Sequence, residues 1–184
     1  MKISATRLEG VFIFEPRVFG DTRGSFFESV NLRSYRNLLG DDAPTEIVQI
    51  NHSHSVHGSL RGLHFQEPEG QGKIVWVSAG LIFDVAVDVR RGSPSFGHWT
   101  GHELSAANRL QMWIPPGFAH GFCVLSETAD FIYACTGYYA PDCERAVRWN
   151  DPAIAIDWPL TDPLLSDKDT AAPLLADAPV LPEL

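Results

Sequence analysis

Basic residues are scarce in this sequence. Its 184 residues include 14 Lys and Arg against 23 Asp and Glu, which gives a formal net charge of -9 at pH 7. Affinity for the phosphate backbone of a nucleic acid is built from clustered Lys and Arg side chains. The composition therefore argues against a nucleic-acid partner, although a local basic patch is enough to bind a small anion.

Long hydrophobic runs are also missing. The N-terminal segment MKISATRLEGVFIF has no apolar stretch of the length that a signal peptide needs, and no later stretch approaches the length of a membrane span. We therefore expect no membrane partner and a cytoplasmic location.

Cysteine is rare as well. Cys123, Cys135 and Cys143 are an odd set without C-x-x-C spacing. They cannot complete a disulfide framework or form a zinc site by themselves. We expect reduced thiols, two of which fill space in the core.

Aromatic and turn-forming residues, in contrast, are abundant. The chain has 5 Trp, 4 Tyr, 11 Phe, 15 Gly and 13 Pro, a composition that favours short strands separated by turns. Runs of β-branched and aromatic residues predict strands at 11–15, 25–30, 47–51, 74–79, 81–89, 98–104, 109–114, 121–125 and 130–136. About eight to ten strands at this spacing are typical of a barrel or jelly roll that can hold one small ligand.

Helical signals are confined to short segments. Asn31 is a candidate N-cap for a helix that ends at Leu39, before Gly40, and a weak helical turn is predicted from Ser166. From about residue 160 the composition shifts to Pro, Asp, Ala and Leu. We expect one domain, residues 1–184, in which this C-terminal segment packs on the barrel and the last ten or so residues are frayed.

The predicted strand at 81–89 alternates between two kinds of residue. Its odd positions from Phe83 to Val89 are apolar and share one face, whereas Asp84 and Asp88 lie on the other face. The pattern predicts one core face and one polar face. The remaining Asp and Glu are interpreted as solvated.

Functional side chains are concentrated in residues 49–53, 60–66 and 115–121. Two of these segments have the shape of cupin motifs, in which an H-x-H with a later Glu and a P-x-G-x-x-H place three His and one carboxylate around a metal. Here His64-Phe65-Gln66 replaces H-x-H, Lys73 stands at the carboxylate position, and only the P-x-G-x-x-H ending in His120 remains.

These replacements disfavour a metal. An ammonium group repels a divalent cation, and two imidazoles with one amide make a poor site. We therefore predict no metal ligands and no cofactor. Lys73 is expected to take over the electrostatic role of the metal by stabilising negative charge on a substrate oxygen.

Over most of its length the sequence resembles the dTDP-4-dehydrorhamnose 3,5-epimerases. The matching blocks, in the order of the family and with x for a position that carries no match, are VFGDxRGxFFES at 18–29, QxNHS at 49–53, LRGLHFQ at 60–66, QGK at 71–73, FDVAVD at 83–88, WIPxGFAHGF at 113–122 and YYxP at 138–141. The resemblance implies an all-β, cupin-type jelly-roll β-barrel with short peripheral helices. It also implies a cofactor-independent reaction in dTDP-L-rhamnose biosynthesis that inverts carbons 3 and 5 of a 4-keto-6-deoxyhexose carried on dTDP.

The resemblance assigns four residues to proton transfer. It makes His64 the base, Asp169 the carboxylate that orients His64, Lys73 the group that stabilises the enolate oxygen, and Tyr133 the acid. Tyr138 and Tyr139 remain alternatives for the acid.

The resemblance further assigns the substrate-binding positions, which are Phe19, Arg23, Phe27, Glu28, Gln49, Asn51, Arg61, His120, Glu144 and Lys168. Guanidinium groups bind phosphate oxygens bidentately, so Arg23 and Arg61 are candidates for the diphosphate. The aromatic rings of Phe19 and Phe27 suit the thymine.

Two alternatives stay open. One is an epimerase that inverts a single carbon, because Trp76 and Ser78 occupy positions that are more polar in relatives and a pocket-facing Trp76 would change the orientation of the sugar. The other is a sugar-binding or metal-dependent cupin without this activity. Because the family forms strand-sharing homodimers, the resemblance also implies a homodimer in which Phe19 or Arg23 comes from the partner subunit.

Overall fold

A computed structural model describes all 184 residues. The strands are β1 (Lys2–Ala5), β2 (Phe12–Glu15), β3 (Phe19–Asp21), β4 (Gly24–Phe26), β5 (Gln49–Val56), β6 (Leu60–Gln66), β7 (Lys73–Ala79), β8 (Leu81–Asp88), β9 (Trp99–Ser105), β10 (Gln111–Ile114), β11 (Phe118–Val124), β12 (Thr128–Cys135) and β13 (Glu144–Ala146). The α-helices are α1 (Leu32–Leu39) and α2 (Asp167–Thr170), and single 3-10 turns occupy Gly40–Asp42, Pro141–Cys143 and Leu175–Asp177.

Two antiparallel sheets pack face to face and form a jelly roll. The larger sheet has six strands in the order β1-β2-β10-β7-β12-β5, and the smaller has five in the order β13-β6-β11-β8-β9. The hairpin β3–β4 pairs only with itself. The predicted all-β, jelly-roll fold with short helices is confirmed.

The main core lies between the sheets. On β7, Val75 and Val77 point inwards, whereas Ile74 and Trp76 point to the outer side of the sheet, as the two-residue period of a strand requires. Further inward residues come from both sheets and include Met112, Phe131, Ile82, Ala86, Leu104 and Phe122. This apolar core fixes the separation of the two sheets, and hence the width of any cavity between them.

Helix α1 covers the outer face of the six-stranded sheet. Its Tyr35 is fully buried and stacks on Phe14 with ring centroids 4.5 Å apart. The side chain of Asn31 accepts a hydrogen bond from the backbone N–H of Ser34, and Gly40 follows the last turn with a φ of 61°. The predicted N-cap and the predicted glycine stop are both confirmed.

The chain after β13 covers the outer face of the five-stranded sheet. It buries apolar side chains against β6, β8 and β11, among them Val147, Ile154, Leu175, Ala178 and Leu181. The backbone N–H of Arg91 donates to Pro182 O at 2.8 Å, and that of Leu184 donates to Arg91 O at 3.1 Å. The expectation of a frayed C-terminus is therefore wrong, because burial and backbone hydrogen bonds hold these residues.

Two other expectations need correction. The predicted strand at 25–30 ends at Phe26, because it forms only the short hairpin with β3 before the chain enters α1. Asp151 is buried rather than solvated, and the polar face of β8 is buried too, since the carboxylates of Asp84, Asp88 and Asp151 all have hydrogen-bond partners inside the fold.

The cysteines and the helices of the structure bear on two further expectations. All three cysteines are free, with Cys123 and Cys135 buried, as predicted. None of the helices has the length and apolar character needed to cross a membrane.

Candidate active site

A cavity of about 450 Å³ opens between the two sheets, and most of the side chains around it are polar. Ten of the fourteen site residues predicted from the sequence line it. They are Gln49, Asn51, Arg61, His64, Lys73, His120, Tyr133, Glu144, Lys168 and Asp169. Strands that are far apart in sequence thus bring most of the predicted site together.

A bulge in β6 turns both Arg61 and His64 into this cavity. His64 pairs with His120 on β11, and before the next pair β6 has two residues where β11 has only Gly121. Without the extra residue, two side chains three positions apart would lie on opposite faces of the sheet. A Cβ atom on Gly62 would lie 2.5 Å from the Cα of Gly121, so glycine is required where the strands meet.

His64 is hydrogen-bonded to a carboxylate from the C-terminal segment. Its Nε2 lies 2.5 Å from Oδ1 of Asp169, and the two side chains are 27% and 4% exposed. The carboxylate also accepts from the Ser166 hydroxyl at 2.8 Å. Burial alone raises the pKa of Asp169, but hydrogen bonds from His64, Ser166 and the backbone of Gly62 bring the pKa below its usual value.

This contact determines which nitrogen of His64 is basic. An ionised carboxylate only accepts hydrogen bonds, so Nε2 carries the proton and donates to Asp169. The unprotonated nitrogen is then Nδ1, which leaves the ring in the tautomer of a general base.

Lys73 and Tyr133 approach the cavity from the opposite sheet. Burial lowers the pKa of Lys73, although Cys135 and the carboxylates of Asp84 and Glu144 act in the other direction. Burial raises the pKa of Tyr133, so its hydroxyl stays protonated at neutral pH. A ligand in the cavity therefore has an imidazole on one side and a phenol with an ammonium group on the other.

The alternative tyrosines have different surroundings. Tyr138 is 70% exposed and does not line the cavity. Tyr139 lines its edge, but its hydroxyl donates to Oε2 of Glu144 at 2.9 Å. The hydroxyl of Tyr133 has no hydrogen-bond partner in the protein, which leaves it free for a ligand.

His120 forms a second imidazole–carboxylate pair at the bottom of the site. Its Nε2 lies 2.9 and 3.1 Å from the two carboxylate oxygens of Asp84, and the side chains are 8% and 0% exposed. Sequence reasoning placed Asp84 on a polar face but assigned it no role. The family block FDVAVD contains it, and that block was the available signal.

The rim of the cavity is polar and linked by hydrogen bonds. Lys168 forms an ion pair with Glu144, which joins α2 to β13. Gln49 accepts from the backbone N–H of Tyr139 at 2.9 Å, and the Gln66 amide bonds the backbone of Tyr138 and Ala140. These contacts hold the loop before β13 at the edge of the cavity.

Apart from Tyr139, an alternative for the acid, the other lining residues carried no predicted role. They are Ser53, Phe65, Gln66, Gln71, Phe122, Phe131, Tyr139 and Ser166. Ser53 could have been predicted, because it follows Gln49 and Asn51 at every second position of β5 and therefore lies on the same face. Ser53 also has a buried hydroxyl without a hydrogen-bond partner, which makes it a candidate ligand contact.

Four predicted binding residues lie away from the cavity of their own chain. Phe19 is 50% exposed on the β3–β4 hairpin, and Arg23 pairs with Asp21 in the same hairpin. Phe27 and Glu28 follow the hairpin, where Glu28 accepts from the side-chain amide of Asn31 at 2.9 Å. A single chain therefore does not bring these side chains to the other ten.

Trp76 does not face the cavity. It lies on the outer side of β7 and packs in the cluster that contains Phe14 and Tyr35. Its position follows from the two-residue period that sends Lys73, Val75 and Val77 inwards. The sequence-based idea of a pocket-facing Trp76 is therefore wrong.

Comparison with known proteins identifies the family of the chain. The sequence model of a family described as dTDP-4-dehydrorhamnose 3,5-epimerase matches residues 5–177. A protein of that name from Pseudomonas aeruginosa is 55% identical over 183 residues, covering 99% of this chain and 100% of its own length.

Solved structures give the same result. A dTDP-6-deoxy-D-glucose-3,5-epimerase from Legionella pneumophila, in complex with dTDP-4-keto-L-rhamnose, is 51% identical with a TM-score of 0.95, covering 100% of this chain and 98% of that one. A 3'-monoepimerase from Streptomyces bikiniensis, in complex with dTDP-quinovose, is 38% identical with a TM-score of 0.90, covering 97% and 91%. The chain belongs to the dTDP-4-dehydrorhamnose 3,5-epimerase family.

Proposed function

We propose that this chain is a dTDP-4-dehydrorhamnose 3,5-epimerase, which inverts carbons 3 and 5 of dTDP-4-dehydro-6-deoxy-D-glucose on the route to dTDP-L-rhamnose. One observation carries the proposal. The hydrogen-bonded pair of His64 and Asp169 faces Tyr133 and Lys73 across a single cavity. This is the set of groups needed to remove and return a proton beside a ketone.

His64 is the base of the reaction. Both carbons flank the 4-keto group, so removing their protons gives an enolate whose charge lies on the carbonyl oxygen. Nδ1 of His64 takes the proton, and the carboxylate of Asp169 stabilises the imidazolium that forms. Ser166 holds that carboxylate from its far side.

Lys73 stabilises the enolate. Its half-buried side chain lies at the cavity wall, where a charge interacts more strongly with a developing oxyanion than it does in water. Because burial lowers the pKa of Lys73, this role is lost as the pH rises through that pKa.

Tyr133 returns the proton from the other face of the sugar. His64 belongs to the five-stranded sheet and Tyr133 to the six-stranded sheet, so base and acid act on opposite sides of a ligand between them. Inversion of a carbon requires this placement. The positive charge of Arg61 acts to lower the pKa of the Tyr133 hydroxyl, so it favours the phenolate left behind.

The nucleotide binds at the polar rim. Arg61 is the guanidinium group at the cavity that can meet the diphosphate, and Gln49, Asn51, His120, Glu144 and Lys168 are the remaining polar contacts of the sugar and nucleotide.

The other four binding residues act on the partner subunit. In a strand-sharing homodimer, the β3–β4 hairpin of one chain would bring Phe19, Arg23, Phe27 and Glu28 to the cavity of its partner. The exposed Phe19 and Phe26 of this hairpin, which pairs with no other strand of its own chain, support this arrangement.

The cytoplasm, predicted from the sequence, is the proposed location of the enzyme.

Solvent exchange tests the function. The enzyme is incubated with dTDP-4-dehydro-6-deoxy-D-glucose in deuterated water, and the incorporation of deuterium is followed by NMR. We expect deuterium at carbons 3 and 5. Exchange at carbon 3 alone would make the chain a single-carbon epimerase like the relative from S. bikiniensis, and no exchange at either carbon would refute the epimerase proposal.

A further inference from the structure

The strongest feature outside the proton-transfer set is the buried pair of Asp84 and His120. Asp84 is completely buried on β8, and both of its carboxylate oxygens contact Nε2 of His120. A buried carboxylate is costly unless hydrogen bonds and opposite charge compensate it. The position therefore needs a reason beyond packing.

We propose that Asp84 is a positioning residue of this epimerase: it fixes the His120 ring with Nδ1 towards the substrate and supplies the negative charge that balances Lys73. The proposal rests on the function proposed above. It assigns Asp84 no contact with substrate, because all of its action passes through His120 and Lys73.

The hydrogen bonds support the first part. A carboxylate accepts from Nε2–H, so the proton of a neutral His120 ring sits on Nε2 and its Nδ1 is an acceptor. Nδ1 has no partner in the protein, and the ring lines the cavity opposite Lys73. His120 therefore accepts a hydrogen bond from a hydroxyl group of the sugar, which leaves Lys73 as the cation that meets the enolate oxygen.

Charge balance supports the second part. The titratable groups that face Asp84 are His120 and Cys123 on β11, His102 on β9 and Lys73 on β7, and His120 additionally faces His64 on β6. Burial lowers the pKa of both His102 and His120, and raises the pKa of the Cys123 thiol to about 12, so all three are neutral near pH 7. Lys73, which also faces Cys135 on β12 and Glu144 on β13, remains as the cation that the Asp84 carboxylate can compensate.

Asp88 provides a matched control. It lies on the same strand and the same face as Asp84 and is equally buried. Its carboxylate, however, bonds Arg90, Ser93 and Ser95 at the end of the strand away from the cavity. Replacing either residue by Asn removes one buried charge and keeps the shape of the side chain.

The test compares Asp84→Asn with Asp88→Asn by steady-state kinetics as a function of pH. For Asp84→Asn we expect kcat to fall at least about 10-fold at pH 7 with KM changed less than about 3-fold. The alkaline limb of the kcat profile should move to lower pH by about one unit, because Lys73 loses the carboxylate that keeps it protonated. Asp88→Asn should leave the limb in place, and an unshifted limb in Asp84→Asn would refute the proposal.

A second measurement does not depend on turnover or on a variant at Asp84. The ligand-free wild type is labelled with isotopes in lysine, histidine and aspartate, and NMR reports the charge of each side chain. The chain has only three lysines, Lys2, Lys73 and Lys168, so Lys2→Arg and Lys168→Arg assign the signal of Lys73 by elimination. In the ligand-free wild type near pH 7, we expect an ionised Asp84 carboxyl, a charged Lys73 and His120 with its proton on Nε2. A protonated Asp84 or an Nδ1–H tautomer of His120 would overturn the proposal even if the protein proves to be an epimerase. If the wild type gives the expected NMR signals but incorporates no deuterium into the sugar, only the proposed function is refuted.

Discussion

The two imidazole–carboxylate pairs of this barrel are neighbours with opposite environments. His64 and His120 face each other across one β-ladder, yet their carboxylates come from different places: Asp169 from the C-terminal segment and Asp84 from the adjacent strand. Hydrogen bonds bring the pKa of Asp169 below its usual value, whereas burial raises that of Asp84. We propose that these similar side-chain pairs serve different purposes, one moving protons and the other holding charge.

The largest expected difference between the pairs is in turnover. We expect His64→Ala to lower kcat by at least about 10³-fold, because it removes the base itself. His120→Ala should lower kcat by only about 10-fold and raise KM, because it removes a substrate contact. Both rates are measured by deuterium incorporation, with binding of dTDP as the control for an intact site. Equal losses of kcat would erase the proposed distinction.

The partner of His64 should come next in size. Asp169→Asn is expected to lower kcat by about 10²-fold, because the amide cannot stabilise the imidazolium that forms in the transition state. The same substitution at Asp167, an exposed residue of the same short helix, is the control and should leave kcat unchanged. If Asp167→Asn were as slow as Asp169→Asn, disruption of α2 rather than loss of the carboxylate would explain the effect.

The smallest expected difference between the pairs is in the free energy of unfolding. Removing the charge of the carboxylate should change it in opposite directions in the two pairs. A carboxyl group with a lowered pKa stabilises the fold above its unfolded pKa of about 4, and this contribution is lost as the pH falls through the folded value. Asp169→Asn should therefore lower the unfolding free energy by about 1 kcal/mol at pH 7, and much less below pH 3. The raised pKa of Asp84 has the reverse effect, so Asp84→Asn should be at least as stable as the wild type at pH 7.

Urea denaturation of the two variants and the wild type at pH 7 and pH 3 measures these differences. An Asp84→Asn variant that is clearly less stable than the wild type at pH 7 would contradict the expected sign.

Local patterns in the sequence predicted a barrel or jelly roll, and the resemblance to the epimerase family supplied most of the residues that line the cavity. The two-residue alternation of β8 and the blocks around His64, Lys73 and His120 are visible without coordinates. Ten of fourteen site residues reached the cavity because strand pairing converts such blocks into one surface.

The errors came from long-range contacts. Asp84 was interpreted only as part of a polar face. The alternation of residues distinguishes the two sides of a strand, but it does not show that one side faces a buried histidine. The direction of Trp76 was missed because it depends on the register of β7 relative to the core. The C-terminal residues were expected to fray because their composition resembles a tail. The hydrogen bonds that hold them are made with Arg91, which is more than 80 residues away in the sequence, so no local pattern indicates them.

The position of Asp169 has a consequence for any truncation of the chain. All thirteen strands end by Ala146, whereas the carboxylate that is hydrogen-bonded to His64 lies in the segment that follows them. A chain cut after Ala146 would keep every strand, but it would lose Asp169 and the apolar side chains that cover the outer face of the five-stranded sheet. The segment that completes the cavity is therefore also the segment that shields this sheet from water.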